Sequence, residues 1–488
     1  LEQDRPFIGP AGRLLWSMLK RAGYDRADTY ILNITGEWPE GSTGGPTGEQ
    51  LDRWWDRFDS AVGEFRGRVA LLLGGDAFGR FTGLAGGITA WGGYLLPHDE
   101  RQPLSRTRLI TTAYKANGKG HKKGDPRLQK VKETVPPPPF SGLCLPALHP
   151  AGVLRTGLAT APILSSQIKR AGRALRGELQ PYRTQYYTFP TIWAQPPRLA
   201  VDIETGGIEG GIVRIGFARE DDAFSVPWSD AARNATRAML ARGGTQFLLH
   251  NAGFDYPRLA GAGCEIAGPL RDTMLAAAML QPDLPKGLNA AAALYLDVPR
   301  WKHLDDLEPA KYNALDAIRT YELWQQEEAL LEKTGQLRLF TDTIMSALPT
   351  IIDMGTTGIR LSESRRDEWL CDLRQKSSDY LRDWNSRTDG CNPNSPQQLK
   401  QLFTRLGMVV PLGKDGGETT DQMGLARLRA DYPEHTQLLD LLQATKHVFK
   451  DMETYALVGV GGDGRVHPSY VPAYKDEDGL GKGLAGTW

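Results

Sequence analysis

The stretch Arg198-Leu199-Ala200-Val201-Asp202-Ile203-Glu204-Thr205 decides the fold of the central part of this chain. Its apolar first half predicts a buried strand of an α/β sheet. Asp202 and Glu204 are two residues apart, so both side chains lie on one face, near the carboxyl end where such sheets bind ligands. Two carboxylates there are costly to desolvate unless a cation offsets their charge. The pair therefore predicts a cation site, with a strand that runs out into solvent as the alternative.

Two later segments supply further acidic groups. Asp255 ends the segment His250-Asn251-Ala252-Gly253-Phe254-Asp255, which follows an apolar run, and is expected to bind metal directly or through a water. Tyr312 and Asp316 are four residues apart and therefore share one face of a helix. Each segment alone is a weak signal, since Asn-Ala-Gly is common in loops and a Tyr-x-x-x-Asp pair is usually structural. Together they complete the hard oxygen ligands needed to hold two metals about 4 Å apart for phosphodiester hydrolysis.

In this order, the three segments resemble the motifs of the DEDDy 3′→5′ exonuclease superfamily, which includes the proofreading domain of family A DNA polymerases. The resemblance implies an RNase H-like exonuclease domain over residues 198–331 and in-line attack of water on the terminal phosphodiester. Two divalent cations, Mg²⁺ or Mn²⁺, would be held by Asp202, Glu204, Asp255 and Asp316. Tyr312 would orient the attacking water, and Asn251 would help to position the 3′ end. Asp272-Thr273-Met274 is also similar to a family segment, without a catalytic role.

Residues 332–488 predict a mostly helical region. The segments 392–399 and 464–470 resemble the thumb of family A DNA polymerases, over roughly residues 339–470. In that family the thumb grips duplex primer–template largely through backbone contacts, which implies that Asn394, Ser395 and Lys450 bind DNA. A generic helical bundle is the alternative, although it explains neither segment. The family's palm and fingers would lie beyond Trp488, so this chain is not expected to polymerise DNA.

Residues 1–180 alternate strand and helix patterns, which indicates an α/β sheet domain. The expected elements are helices over 12–23 and 49–65 and strands over 29–34, 69–73 and 143–148. Pro6-Phe7-Ile8-Gly9 resembles the Pro-Phe-Val-Gly segment of family 4 uracil-DNA glycosylases, and similar segments surround Asn33, Gly74 and His149. The resemblance implies a glycosylase-like α/β/α sheet domain. In it Phe7 would stack on an extruded uracil, Asn33 would hydrogen-bond to the base, and His149 would stabilise the departing anion.

The N-terminal region departs from that family in two ways. The family's iron–sulfur cysteines are absent, with Glu37 and Arg53 where two of them would be, so no iron–sulfur cluster is expected. The family's water-activating acid belongs to a segment that would precede Leu1. A working glycosylase and an inherited fold that now binds DNA or a partner are therefore equal alternatives.

Two polar stretches separate these regions or interrupt them. Residues 181–197 are rich in Tyr and Pro and predict a linker. Residues 115–132 are polar and basic, and they predict either a DNA-contacting loop or a solvated, disordered excursion.

Composition sets broad limits on the class of protein. A chain of 488 residues predicts two to four domains. With 58 basic and 58 acidic residues the net charge is zero, which neither indicates nor excludes a nucleic-acid binder. Four cysteines without a C-x-x-C pair favour a reducing cytoplasm, and no apolar run approaches ~20 residues, so membrane insertion is not expected. The sequence does not predict an oligomeric state.

The resemblances together imply the N-terminal part of a family A DNA polymerase that acts in replication and proofreading. Its partners would be primer–template duplex and single-stranded 3′ ends of DNA. The unusual fusion of a glycosylase-like domain suggests a phage source and hence the host cytoplasm. An RNase D-like exoribonuclease and a non-catalytic DNA-binding scaffold are the alternatives.

Overall fold

The computed structural model describes residues 6–36, 46–114, 126–156, 158, 160–179, 196–207, 210–220, 222–413, 417–471 and 485–487. Contacts divide the chain into two compact units, Leu1–Met345 and Ser346–Trp488. The first unit contains two α/β regions and the second is mainly helical. The predicted fold class, α/β regions followed by a helical region, is confirmed.

The N-terminal α/β region is layered around a parallel strand pair. Its helices and strands are α1 (Pro10–Arg21), α2 (Gly48–Glu64), β1 (Val69–Leu73), α3 (Gly75–Thr82), α4 (Gly87–Trp91), β2 (Leu104–Tyr114), β3 (Pro126–Val135), β4 (Leu143–Ala147), α5 (Pro150–Arg155) and α6 (Ala161–Arg176). Strands β1 and β4 pair in parallel. Alternate side chains of β4 enter two separate cores. Leu145 packs with residues of α1 and α6, whereas Cys144 packs with residues of α2 and α3. This alternation gives the helix–sheet–helix layering.

Most predicted elements of this region are confirmed within two residues, but two expectations are wrong. The expected strand over residues 29–34 does not form, because Tyr30 and Leu32 face outward at 53% and 37% exposure and the Tyr30 ring stacks on Phe65 instead. The expected excursion over 115–132 is partly a strand. Residues 126–132 belong to β3, which pairs with β2 in a hairpin that sets Arg106 opposite Glu133. Residues 115–125, like linker residues 181–195, lie outside the described residues.

The central region is built on a five-stranded sheet. Its elements are β5 (Arg198–Thr205), β6 (Ile212–Arg219), β7 (Asp222–Pro227), α7 (Asp230–Leu240), β8 (Gln246–Leu249), α8 (Ala252–Gly261), β9 (Leu270–Asp272), α9 (Thr273–Leu280), α10 (Leu288–Tyr295), α11 (Pro309–Lys333) and α12 (Leu337–Leu339). The strand order is β7-β6-β5-β8-β9, with β5, β6 and β7 antiparallel and β8 and β9 parallel to β5. This arrangement agrees with the expected RNase H-like sheet.

The central strand β5 leaves its carboxyl end open on one side. It pairs with β8 only over Arg198, Leu199 and Ala200, whereas its pairing with β6 continues to Thr205. Helix α11 packs against β5, β6 and β7. From Val201 to Thr205, β5 therefore has no β8 partner, which leaves room beside its carboxyl end for side chains from other elements.

A buried polar interface joins the two α/β regions of the first unit. The Tyr94 hydroxyl donates to the Asn289 carbonyl at 2.7 Å. The Arg170 guanidinium donates to the Ala293 carbonyl at 2.6 Å and lies 3.4 Å from the Asp297 carboxylate. The side chains of Arg170 and Asp297 are only 5% and 7% exposed. A buried charge pair of this kind ties the N-terminal region to the chain that precedes α11.

The second unit is a helical core with short strands. Its elements are α13 (Met345–Thr357), β10 (Ile359–Arg360), α14 (Glu363–Thr388), α15 (Pro396–Arg405), α16 (Gln422–Asp431), α17 (Thr436–Lys450), β11 (Arg465–Val466), β12 (Ser469–Val471) and β13 (Ala485–Thr487), with a π-helical turn over Asp451–Ala456. A further π-helical turn, Phe340–Ile344, belongs to the end of the first unit. Side-chain caps begin two of these helices, since Ser395 accepts from the Gln398 amide at the start of α15 and Asp421 from the Gly424 amide at the start of α16. Within the described residues no helix is both long and apolar enough to cross a membrane.

Candidate active site

Three elements bring the four predicted carboxylates together. Asp202 and Glu204 come from β5, Asp255 from the first turn of α8, and Asp316 from α11. Carboxylate oxygens of Asp202, Glu204 and Asp316 all lie within 4.8 Å of one another. The buried Asp255 adjoins them, because its carboxylate accepts a hydrogen bond from the Ile203 amide on the same strand. The strand alternation and the open end of β5 thus produce one acidic cluster.

Burial and mutual repulsion disfavour the charged forms of this cluster. Burial, followed by Asp316, Asp255 and Glu204, raises the pKa of Asp202 well above its usual range. Burial and the charge of Asp316 raise the pKa of Glu204 to about 7. Burial and the neighbouring Asp272 raise the pKa of Asp255 as well. Oxygen ligands that repel one another at this range are stabilised by divalent cations, so the donor set fits the predicted Mg²⁺ or Mn²⁺.

A chain of hydrogen bonds fixes the orientation of Asp202. The Asn313 side-chain amide donates to Asp202 Oδ2 at 2.7 Å, and the Ser225 hydroxyl donates to Asn313 Oδ1 at 2.6 Å. Gly216 makes room for this contact, because a Cβ there would lie 2.8 Å from Asn313 Oδ1. Residues that orient a metal-binding carboxylate by hydrogen bonds affect metal affinity without contacting the metal themselves.

Asp272 anchors the helix that carries Asp255. Its buried carboxylate accepts from the amides of Asn251 and Ala252 at 3.2 and 2.7 Å and from the amides of Met274 and Leu275 at 2.8 and 3.2 Å. It therefore joins the starts of α8 and α9 and has a structural role. Asn251 precedes α8 with a left-handed φ of 71° and an exposed side chain, and its predicted contact with a 3′ end stays a prediction.

Two residues that the sequence did not predict hold Asp316 from the other side. The Trp301 indole donates to Asp316 Oδ1 at 2.5 Å, and the Lys302 ammonium contacts Asp316 Oδ2 at 2.7 Å. Lys302 also donates to the Tyr312 hydroxyl oxygen at 2.8 Å. Burial raises the pKa of Tyr312 to about 12, so its phenol stays neutral. A Trp-Lys pair in an irregular segment has no periodic relation to Tyr312, and its position just before α11 was the only signal.

Metal binding should strengthen with pH because Glu204 must lose a proton. Its pKa rises from 4.5 to about 7 on folding. The folded state therefore binds more protons between those values, and without metal the free energy of unfolding falls as pH rises through this window. We expect the rise in melting temperature on adding Mg²⁺ to grow between about pH 5 and about pH 8. Differential scanning fluorimetry measures this, and Glu204→Gln should reduce the pH dependence, leaving the part that comes from Asp202 and Asp255. An equal rise in melting temperature on adding Mg²⁺ at about pH 5 and at about pH 8 would contradict the role of Glu204 as a ligand that must lose a proton.

The three predicted pocket residues of the N-terminal region also come together. Phe7, Asn33 and His149 line one cavity of about 770 Å³. The Phe7 and His149 rings have centroids 6.1 Å apart at an interplanar angle of 32°. Phe7 has a left-handed φ of 58°, and only glycine fits at position 12, because a Cβ there would lie 1.8 Å from the Phe7 carbonyl oxygen. The backbone is thus shaped to present the Phe7 ring beside His149.

A backbone hydrogen bond selects the tautomer of His149. The Ala151 amide donates to His149 Nδ1 at 3.1 Å, at the start of α5. The proton of the neutral ring is therefore on Nε2, which makes that nitrogen a hydrogen-bond donor. Burial lowers the pKa of His149, with Arg155 adding to the shift, so the neutral form prevails. Asp76, which the sequence did not single out, also lines the cavity.

The predicted DNA-binding residues of the second unit lie at helix ends. Asn394 and Ser395 precede α15, where Ser395 is the cap, and Lys450 is the last residue of α17. Asn394 and Lys450 are exposed. These positions are accessible to a ligand, and their contact with DNA stays a prediction.

Comparison with known proteins first identifies a class for the N-terminal region. Residues 1–167 match the family model described as the uracil DNA glycosylase superfamily. This match covers the region that carries Phe7, Asn33 and His149, which is therefore uracil-DNA-glycosylase-like. The match agrees with the α/β layering around β1 and β4.

Individual relatives are DNA polymerases. The chain is 31% identical over 247 residues to DNA polymerase I of Chloroflexus aurantiacus, covering 45% of this chain and 26% of that protein. It is 27% identical over 235 residues to DNA polymerase I of Synechocystis sp., covering 43% and 23%. The match thus spans about a quarter of the length of these curated relatives. Among solved structures, it is similar to the POL domain of Pol1 from M. smegmatis in complex with DNA primer-template and dNTP, with 21% identity, a TM-score of 0.47 and coverage of 60% and 51%.

Proposed function

We propose that the central region is a metal-dependent 3′→5′ exonuclease that acts on DNA as part of a replication enzyme of the DNA polymerase I type. The observation that carries this proposal is the convergence of Asp202, Glu204 and Asp316 within 4.8 Å, with Tyr312 on the same helix as Asp316. The relatives, both DNA polymerases, support the setting in DNA replication.

Each site residue has a separate role in the proposed reaction. Asp202, Glu204, Asp255 and Asp316 would hold two divalent cations, which when bound stabilise charge on the attacking and leaving oxygens. Tyr312, a neutral phenol, orients the attacking water by a hydrogen bond. Asn313 keeps Asp202 in its ligating orientation, and Asp272 keeps Asp255 in place through the start of α8. Water adds to the terminal phosphorus, the 3′ oxygen of the preceding nucleotide leaves, and a nucleoside 5′-monophosphate is released.

A comparison of matched DNA and RNA strands tests the polarity and the substrate. Each strand is labelled at its 5′ end and incubated with the protein in Mg²⁺. We expect the DNA to shorten stepwise from the 3′ end and EDTA to stop the reaction. Faster trimming of the RNA would favour an RNase D-like exoribonuclease, and an intact strand in every lane would favour a non-catalytic scaffold.

For the second unit we propose contact with primer–template duplex. Asn394, Ser395 and Lys450 would bind the phosphate backbone, which positions the duplex without reading its sequence. Lys450→Gln should weaken duplex binding by a similar factor for unrelated sequences and lower its salt dependence. Fluorescence anisotropy over a salt series measures both effects.

We also propose that the N-terminal region recognises uracil in DNA. The supporting observation is the His149 tautomer, because an Nε2–H donor in a cavity shared with Phe7 and Asn33 suits a departing uracil anion. Phe7 supplies a face for stacking on the base, and Asn33 supplies an amide to read its edge. The match of residues 1–167 to the glycosylase superfamily agrees with this proposal.

A strand with one internal uracil tests this second proposal. The 5′-labelled strand is incubated in EDTA, which silences the exonuclease, and abasic sites are then cleaved with alkali. We expect a band at the uracil position, with His149→Ala lowering its rate about 10²-fold and His98→Ala serving as the control. If wild type gives no band, the pocket is a binding site, and its affinity for uracil-containing over thymine-containing strands becomes the relevant measurement.

A further inference from the structure

Lys302 places a fixed positive charge inside the carboxylate cluster. Its ammonium lies 2.7 Å from Asp316 Oδ2 and 2.8 Å from the Tyr312 hydroxyl oxygen, and 4.6 Å from the centre of the Tyr312 ring. The Lys302 side chain is 25% exposed and that of Asp316 only 6%. The contact between the Lys302 ammonium and the Asp316 carboxylate is therefore a charge-assisted hydrogen bond.

The segment that carries Lys302 is held on both sides. Trp301, 2% exposed, packs edge-on against Tyr94 and donates to Asp316 Oδ1. On the other side, the His303 ring stacks on Trp91, with centroids 6.3 Å apart. Lys302 is therefore not a surface lysine that swings freely. Its backbone lies between two anchored neighbours, and its ammonium contacts Asp316 and Tyr312.

The direction of the hydrogen bond to Tyr312 has a consequence for the phenol proton. An ammonium can only donate, so the Tyr312 oxygen accepts from Lys302. The phenol's own O–H must then point away from Lys302, and it is left to donate to another acceptor in the site. Asp316 is similarly restrained, because Trp301 and Lys302 each occupy one of its oxygens.

We propose that Lys302 is a positioning residue of the exonuclease centre, which fixes Asp316 and directs the Tyr312 hydroxyl toward the attacking water while weakening divalent-cation binding at Asp316. This inference rests on the proposed exonuclease function. The weakening follows from Coulomb repulsion, since an ammonium within a few ångströms of a metal ligand opposes a second cation there. Lys302 thus lowers the affinity for divalent cations while it holds Asp316 and Tyr312 in position.

The test combines metal binding with trimming kinetics in Lys302→Met and Lys302→Arg. Mn²⁺ binding is measured by titration calorimetry, and kcat and KM are measured on 5′-labelled single-stranded DNA. We expect Lys302→Met to bind Mn²⁺ about tenfold more tightly, yet to lose about 10²-fold in kcat with KM nearly unchanged. Lys302→Arg should keep the wild-type Mn²⁺ affinity and recover part of kcat. Lys311→Met is the matched control. Lys311 adjoins Tyr312 in sequence, but its ammonium pairs with Glu308 and not with Asp316.

Opposite changes in metal affinity and kcat separate positioning from a merely structural role. A variant that only disrupts the site would lose both, and that result would overturn the inference, as would Lys302→Met with wild-type values of both. If wild type itself fails to trim DNA, the proposed exonuclease function falls and this inference falls with it. If wild type trims and Lys302→Met trims equally well, only the role of Lys302 is refuted.

Discussion

Asp202→Asn is expected to lower the rate of 3′ trimming by at least about 10³-fold, because it removes one oxygen ligand and one negative charge from the centre of the cluster. Its melting temperature in EDTA should equal or exceed that of wild type. The reason is that the charged form of Asp202 is disfavoured by burial and by Asp316, Asp255 and Glu204. Asparagine keeps an oxygen that can accept from Asn313 while it relieves this repulsion.

The two readouts for Asp202→Asn must separate, with the trimming rate falling while the melting temperature in EDTA does not fall. Mg²⁺ should stabilise wild type and leave the variant nearly unchanged. Asp230→Asn is a matched control, since Asp230 is an exposed first-turn residue of α7 whose side chain is 87% exposed. A variant that trims like wild type, or one that loses trimming only together with its folded state, would contradict the role assigned to Asp202.

Asp297→Ala is expected to destabilise the first unit by about 3–5 kcal/mol, because it leaves the Arg170 guanidinium buried without its carboxylate partner. Asp297 contacts both Arg170 and Arg173, at 3.4 and 2.5 Å. The loss should appear in urea unfolding monitored by tryptophan fluorescence. Because Asp297 lies just before Trp301, the variant should also loosen the segment that carries Lys302.

A variant of a surface carboxylate is the control for the stability loss expected of Asp297→Ala. Asp230→Ala removes an exposed pair with Arg233 and should cost at most about 1 kcal/mol. Hydrogen exchange followed by mass spectrometry can locate the loosening in Asp297→Ala to residues 297–304. Equal stability losses in the two variants, or unchanged exchange in that segment, would show that the pair does not tie the two α/β regions together.

Local periodicity predicted which site residues share a face, but not that the three segments converge. Asp202 and Glu204 share a face because strand side chains alternate, and Tyr312 and Asp316 share one because they are a helical turn apart. These relations depend only on sequence spacing. Their convergence depends on β5 being central and on α11 packing across it, and the order of the three segments was the only guide to that.

The supporting groups could not be predicted, because they are set by tertiary contacts. Asn313 reaches Asp202 only through the approach of α11 to β6 at Gly216. Lys302 lies in an irregular segment whose path is fixed by Trp91 and Tyr94 of the other α/β region. For the same reason the expected strand over residues 29–34 failed, since Tyr30 and Leu32 face outward while Ile34 packs against the core beside α2 and α3.

The central claim is that the carboxylate cluster hydrolyses DNA from the 3′ end, and the most direct measurement identifies the released products. Wild type and Asp202→Asn are incubated with single-stranded DNA in Mg²⁺, and the small products are separated by liquid chromatography and identified by mass spectrometry. Wild type should release nucleoside 5′-monophosphates one at a time, and Asp202→Asn should release almost none. No mononucleotides from wild type, or equal amounts from both proteins, would contradict the account.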